Sequence, residues 1–229
     1  MTIIIFDAGP IITLALNNLT WLLEEFKKRC NCQLIIPDSV KFELIDRPIE
    51  GKKYKFEAMQ TLVYLKNHTL DVYKGRIRAE TNQLAELMNS VFMAKGRNIQ
   101  LVHLGEVETI AVALKLNADV IVVDERTVRL LIEAPKVLHK LMEHKLHTKI
   151  EINQAKLSLL QKKTASIKII RSVEIVTRAY ELGMLDKYLP YDMPDSKKEL
   201  LTAALWAMKL KGCSITQEEI YEIASIEGL

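Results

Sequence analysis

The chain has 229 residues, 49% of them hydrophobic, with 32 Lys and Arg against 29 Asp and Glu and a formal charge of +3. That length suffices for one well-buried core with a smaller attached module, since single domains run to about 100–200 residues. The scarcity of Gly and Pro excludes a disordered or fibrous chain, no apolar run approaches the ~20 residues that cross a bilayer, and so mild a charge does not by itself argue for nucleic acid.

Ile3-Ile4-Ile5-Phe6 is β-branched and aromatic throughout, the pattern of a strand buried on both faces of a parallel sheet. Asp7, Gly9 and Pro10 break it at once, and no basic segment precedes it. It reads as a strand and not a secretory signal, so a cytoplasmic protein is expected. Residues 10–16 and 19–29 then read as helices broken at Asn17-Asn18. Leu34-Ile35-Ile36 is a second strand, and Pro37-Asp38-Ser39 opens a further helix capped by Asp38 or Ser39.

Residues 54–67 are amphipathic, 69–73 suit a strand, and 77–95 carry helical spacing through Ile77, Leu84, Leu87, Met88, Val91 and Phe92. Gly105 precedes a helix reaching Asn117. Val120 to Val123 is a buried strand ending at Asp124, and helices follow from Arg126 and from Pro135. Strands alternating with helices imply an α/β fold, with a mostly parallel sheet covered on both faces. From about residue 165 the pattern turns helical, over 172–182, 196–210 and 216–225, with a loop across Leu189–Asp195 and a Thr216/Glu219 capping box. Two regions are expected: an α/β domain over 1–160 and a helical extension over 165–229.

Ligands in open α/β sheets bind beyond the carboxyl ends of the strands. Two strands end there in an aspartate, Asp7 and Asp124. Glu43 follows the second strand, and Glu106 and Glu108 open the helix after Gly105. A carboxylate at a helix N-terminus is ordinarily a dipole or capping effect of about 0.3–1 kcal/mol, which is the plainer reading of Glu106. At an apolar strand end an ionised carboxylate is costly unless hydrogen-bonded or bound to a metal. Such oxygen ligands suit Mg²⁺ or Mn²⁺, which can polarise a phosphodiester and activate water.

These stretches resemble the motifs of the PIN-domain ribonucleases. Ile4-Ile5-Phe6-Asp7-Ala8-Gly9-Pro10-Ile11-Ile12 is similar to the opening of a PIN domain, and Pro37-Asp38-Ser39-Val40-Lys41-Phe42-Glu43-Leu44 to its second acidic motif. Leu104-Gly105-Glu106-Val107-Glu108-Thr109-Ile110-Ala111 resembles a Gly-Glu-x-Glu variant of the third, and Ala118-Asp119 through Val123-Asp124-Glu125-Arg126 the last strand and its acid. Any one motif is weak; four in this order are fairly specific. The closest likeness is to a prokaryotic subgroup related to toxin-type ribonucleases. The resemblance implies a PIN-like three-layer sandwich with Asp7, Glu43, Glu106 or Glu108, and Asp124 as Mg²⁺ or Mn²⁺ ligands. Glu108 is the closer motif match of the pair, and Glu125 would be an outer or water-mediated partner. It implies RNA as substrate and an antitoxin or other protein as partner. The chain departs from the pattern at Gly9, where many PIN domains carry Ser or Thr.

Other signals have two readings each. Arg126 and Arg129 can hold an RNA phosphate or make ordinary ion pairs. The clusters Lys52/Lys53/Lys55, Arg76/Arg78 and Lys95/Arg97 can contact phosphates or line a solvated face. His139, His144 and His147 fit a solvated helix better than a metal site. Cys30, Cys32 and Cys213 are too few and odd in number for a disulfide framework. The C-terminal helices are expected to serve a homo-oligomer or partner interface. Beside the metal-dependent endoribonuclease stand a non-cutting PIN-like scaffold and a phosphotransfer enzyme using Asp7 as nucleophile. The latter ranks low, because its second aspartate would fall at Gly9.

Overall fold

The computed structural model describes residues 1–190 and 193–227. The chain opens with β1 (Ile3–Phe6), α1 (Ala8–Leu16), α2 (Trp21–Cys30) and β2 (Gln33–Ile36). A helical stretch of changing pitch follows: α3 (Asp38–Lys41), a π-helical turn (Phe42–Asp46) and α4 (Arg47–Glu50). Next come α5 (Lys55–Lys66), β3 (Asp71–Val72), α6 (Arg78–Met88), β4 (Phe92–Ala94), β5 (Arg97–Asn98) and α7 (Leu104–Leu116). The chain continues through β6 (Val120–Val122), α8 (Arg126–Glu133), α9 (Pro135–Leu146), β7 (Ile150–Ile152), α10 (Gln154–Thr164) and β8 (Lys168–Ile170). It closes with α11 (Ser172–Glu181), α12 (Ser196–Leu210) and α13 (Gln217–Ile226). Tyr191 and Asp192 of the expected loop lie outside the described residues.

Five parallel strands form the central sheet in the order β3-β2-β1-β6-β8. The two-residue side-chain period sends Phe6, Ile36 and Val122 to one face, and Ile5, Ile121 and Val123 to the other. The first face packs on α1, α2 and α11 to α13, and the second on α6 to α10. This is the expected α/β sandwich, with helices in both outer layers.

Three features depart from expectation. The helix expected over 77–95 ends at Met88: β4 and β5 form a hairpin, and β4 pairs with the distant β7 as a small antiparallel sheet. Lys95 (φ 51°) and Gly96 (φ 74°) make its two-residue turn, and two successive positive φ values suit the twist of a tight hairpin. Asn89 ends α6 by accepting from Leu101 N and Val102 N (2.6 and 2.9 Å). Second, β8 falls within the expected extension yet forms the edge of the main sheet. The first hydrophobic cluster likewise runs without a break from Phe6 and Leu34 to Val173, Leu201, Leu205, Met208 and Ile220. Third, Cys30 and Cys32 are joined in one local disulfide at the end of α2, and Cys213 is free and buried. Among the described residues no helix is long and apolar enough to cross a membrane.

Candidate active site

Parallel strands deliver their carboxyl ends to one edge of the sheet. Asp7, the residue after β1, is extended (φ −79°, ψ 167°), and its N–H donates to Val122 O (3.0 Å), tying it to β6. Its carboxylate faces the backbone N–H groups of Ala8 and Gly9 and the hydroxyl of buried Thr109, 3.4 Å away. Burial outweighs those donors. It pushes the Asp7 carboxyl up to about 7, with the negative charges of Glu43 and Glu106 adding to the rise.

Glu106 sits in the first turn of α7, where Oε2 accepts from the His103 N–H (2.9 Å). Burial raises its pKa above the ordinary carboxylate range, and the charges of Glu125 and Glu43 contribute. Glu125 caps α8, accepting from Val128 N at 2.7 Å. Glu43 is exposed on the π-helical turn, a helix irregularity common at functional sites. Glu43 and Glu106 thus act on Asp7 as like charges, and Glu125 and Glu43 on Glu106. Glu108 turns toward α3, where Oε1 accepts from Ser39 N (3.4 Å).

Asp124 behaves differently from Asp7, although both end strands of the same sheet. It is 4% exposed. Its Oδ1 accepts from Ser172 N (2.7 Å) and the Cys213 thiol (3.3 Å), and its Oδ2 from the hydroxyls of Ser172 (2.7 Å) and Thr13 (3.0 Å). A carboxylate has about four lone-pair sites, and protein donors occupy all of them. Burial, reinforced by the Asp124 charge, pushes the Cys213 thiol up to about 12, so it stays protonated and donating. Sequence reasoning missed Thr13, Thr109, Ser172 and Cys213. No local signal marks them, because Ser172 and Cys213 lie 48 and 89 residues from Asp124.

Arg171, also unanticipated, is 7% exposed and fastens this corner. It donates to Glu174 (2.5 Å), Glu219 (2.9 Å) and Ser214 O (3.1 Å). Burial opposes its charge, but the hydrogen bonds and charges of Glu174 and Glu219 outweigh that and raise its pKa. Arg126 is exposed beside Glu125. Arg129 lies where its charge acts on Glu133 and Glu219, so it faces the C-terminal helices. An apolar cavity of about 440 Å³ lies on the sheet between α2 and α11, and none of the candidate acids lines it.

Residues 3–139 match a family model described as a PIN domain. The chain belongs to the PIN-domain family. No curated protein and no solved structure matches it. PIN domains are typically nucleases, and the match reaches from β1 into α9, so it holds Asp7, Glu43, Glu106 and Glu125. Those acids offer only hard oxygen donors, the chemistry that suits a divalent cation such as Mg²⁺ or Mn²⁺. Among the described residues, no three His, Cys, Asp or Glu side chains already stand at coordinating distances.

Proposed function

We propose that this PIN domain is a Mg²⁺- or Mn²⁺-dependent endoribonuclease whose metal-binding acids are Asp7, Glu43, Glu106 and Glu125. The observation that carries the reading is Asp7. Its carboxyl is pushed up to about 7 by burial and by neighbouring negative charge, which a cation at the same spot would relieve. A divalent ion there supplies Lewis acidity toward a phosphoryl oxygen and lowers the pKa of water.

The chain's own residues orient and confine. Thr109 and the backbone N–H groups of Ala8 and Gly9 aim the Asp7 carboxylate. His103 N fixes Glu106, and Val128 N fixes Glu125. Asp124 serves in this reading as a positioning residue: held by four donors, it sets the backbone that presents Glu125. Arg126, exposed one residue beyond Glu125, is the nearer candidate for a substrate phosphate.

Cleavage of a labelled RNA in Mn²⁺ or Mg²⁺ tests the reading. EDTA and Asp7→Asn should each lower the rate at least about 100-fold, the scale of losing a main electrostatic group. Cleavage by Asp7→Asn at the wild-type rate would remove the assignment. The second reading, a scaffold that binds without cutting, is favoured by the absence of a preassembled ligand cluster among the described residues. Calorimetric titration showing no millimolar-range Mn²⁺ or Mg²⁺ binding would select it.

A further inference from the structure

Beside Glu43 the surface opens into a cavity of about 420 Å³, lined by Ile12, Glu43, Arg47, Lys52, Lys53 and Tyr54 among others. It combines three cations, one aromatic ring and an acid of the candidate centre. Such a volume lies in the usual range of small-ligand sites, about 300–1,000 Å³, enough room for one nucleotide.

Tyr54 is its unusual member. It is the residue before α5 and holds φ 62°, ψ 15°, the left-handed region that a bulky side chain rarely adopts. The residue remains 39% exposed, and the Lys53 ammonium lies 4.6 Å from the ring centroid. Strained backbone of this kind gathers at ligand-binding sites. Here it sets an aromatic face and a cation together at the mouth of a cavity bordered by Glu43. A nucleotide matches that pair, with a base for the ring and a phosphate for the lysines and Arg47.

We propose that Arg47, Lys52, Lys53 and Tyr54 form a nucleotide subsite for single-stranded RNA, which stacks one unpaired base on Tyr54 next to the scissile position. Single strands are singled out because a base inside a duplex has no free face to offer the ring. The proposal rests on the nuclease reading for what happens to the strand after binding, but not for the binding itself.

The test is fluorescence anisotropy with a labelled single-stranded RNA oligonucleotide and its duplex, in EDTA, where cleavage does not intervene. Tyr54→Gly is the informative variant. Glycine accepts the left-handed backbone freely, so this protein should melt no lower than wild type and yet bind the single strand at least about 5-fold more weakly, the lower bound for one lost base stack. Tyr54→Phe should bind as wild type does. The double variant Lys52→Ala/Lys53→Ala should flatten the dependence of log K on log salt by about 1.4, two phosphate contacts at roughly 0.7 each for a single strand. Tyr54→Gly should leave that slope unchanged. Undiminished binding by Tyr54→Gly, or duplex bound as tightly as single strand, overturns the subsite. Wild type that binds with this pattern but does not cut in Mn²⁺ sinks the nuclease reading alone. Cutting with no loss of affinity in the variants sinks the subsite alone.

Discussion

Asp7 and Asp124 have the same local signature, an aspartate at the end of an apolar strand, and the fold gives them opposite environments. Asp124 is compensated by four neutral donors, whereas Asp7 keeps its burial penalty and gains negative neighbours. The pH dependence follows. The Asp7 carboxyl titrates near 7 in the fold against an ordinary 3.8, so the metal-free fold favours its protonated form. The stability this gives is complete below about pH 4 and is lost as pH rises through 7. Metal-free protein should therefore lose stability between about pH 4 and 7, and in Asp7→Asn the loss should be smaller. Urea titrations at several pH values measure this, and a divalent ion should restore the wild-type loss at pH 8. Asp124→Ala takes the acceptor from the N–H and hydroxyl of Ser172 and from the Cys213 thiol, while the Thr13 hydroxyl keeps Gly9 O. At about 1–3 kcal/mol for each unsatisfied group, a destabilisation of about 3 kcal/mol or more is expected in the same assay.

At the level of elements, β1, β2 and β6 are legible in the sequence because continuous β-branched runs bounded by Pro, Gly or Asp have few other solutions. The hairpin of β4 and β5 is not. Val91 and Phe92 continue the apolar spacing of α6, and much of the pairing that holds β4 extended comes from β7, more than fifty residues later. Short strands are fixed by such tertiary pairing more than by intrinsic preference. The four acidic stretches were legible. Which acid of each would meet a cation turns on which side of a helix turn or strand end faces the edge, for Glu106 against Glu108 and for Asp124 against Glu125. In α7 the matter is decidable: Glu106→Gln should reduce RNA cleavage at least about 10-fold more than Glu108→Gln, since only Glu106 is among the charges that raise Asp7 most strongly. Single-turnover rates at saturating Mn²⁺ give the comparison, and the reverse order would restore Glu108 as the third acid.

Over the whole molecule, the segment expected as an appendage completes the core. A chain ending at residue 165 loses the edge strand β8 and fully buried side chains that include Val173, Val176, Leu201, Leu205, Met208 and Ile220. Each contributes about 1.5–3 kcal/mol of burial, against a typical net stability of only about 5–15 kcal/mol. The truncated chain should lack a cooperative thermal transition and be cut rapidly by protease. A folded fragment with the wild-type melting temperature would show that the two regions are separable. The helices 172–226 were readable from periodicity, but their attachment was not: it depends on Ser172, Cys213 and Arg171, whose partners are distant in the chain.

The bond from Cys213 to Asp124 also bears on the order of synthesis. Polypeptides leave the ribosome amino end first, and the loop presenting Glu125 is fastened by residues 172 and 213. We expect a nascent chain whose residues 172–213 are still inside the ribosome to be unable to finish its acidic edge. A molecule that cuts RNA would then be harmless to the message encoding it until those residues had emerged. Stalled ribosome–nascent-chain complexes, assayed for RNA cleavage before and after release, would reveal that delay.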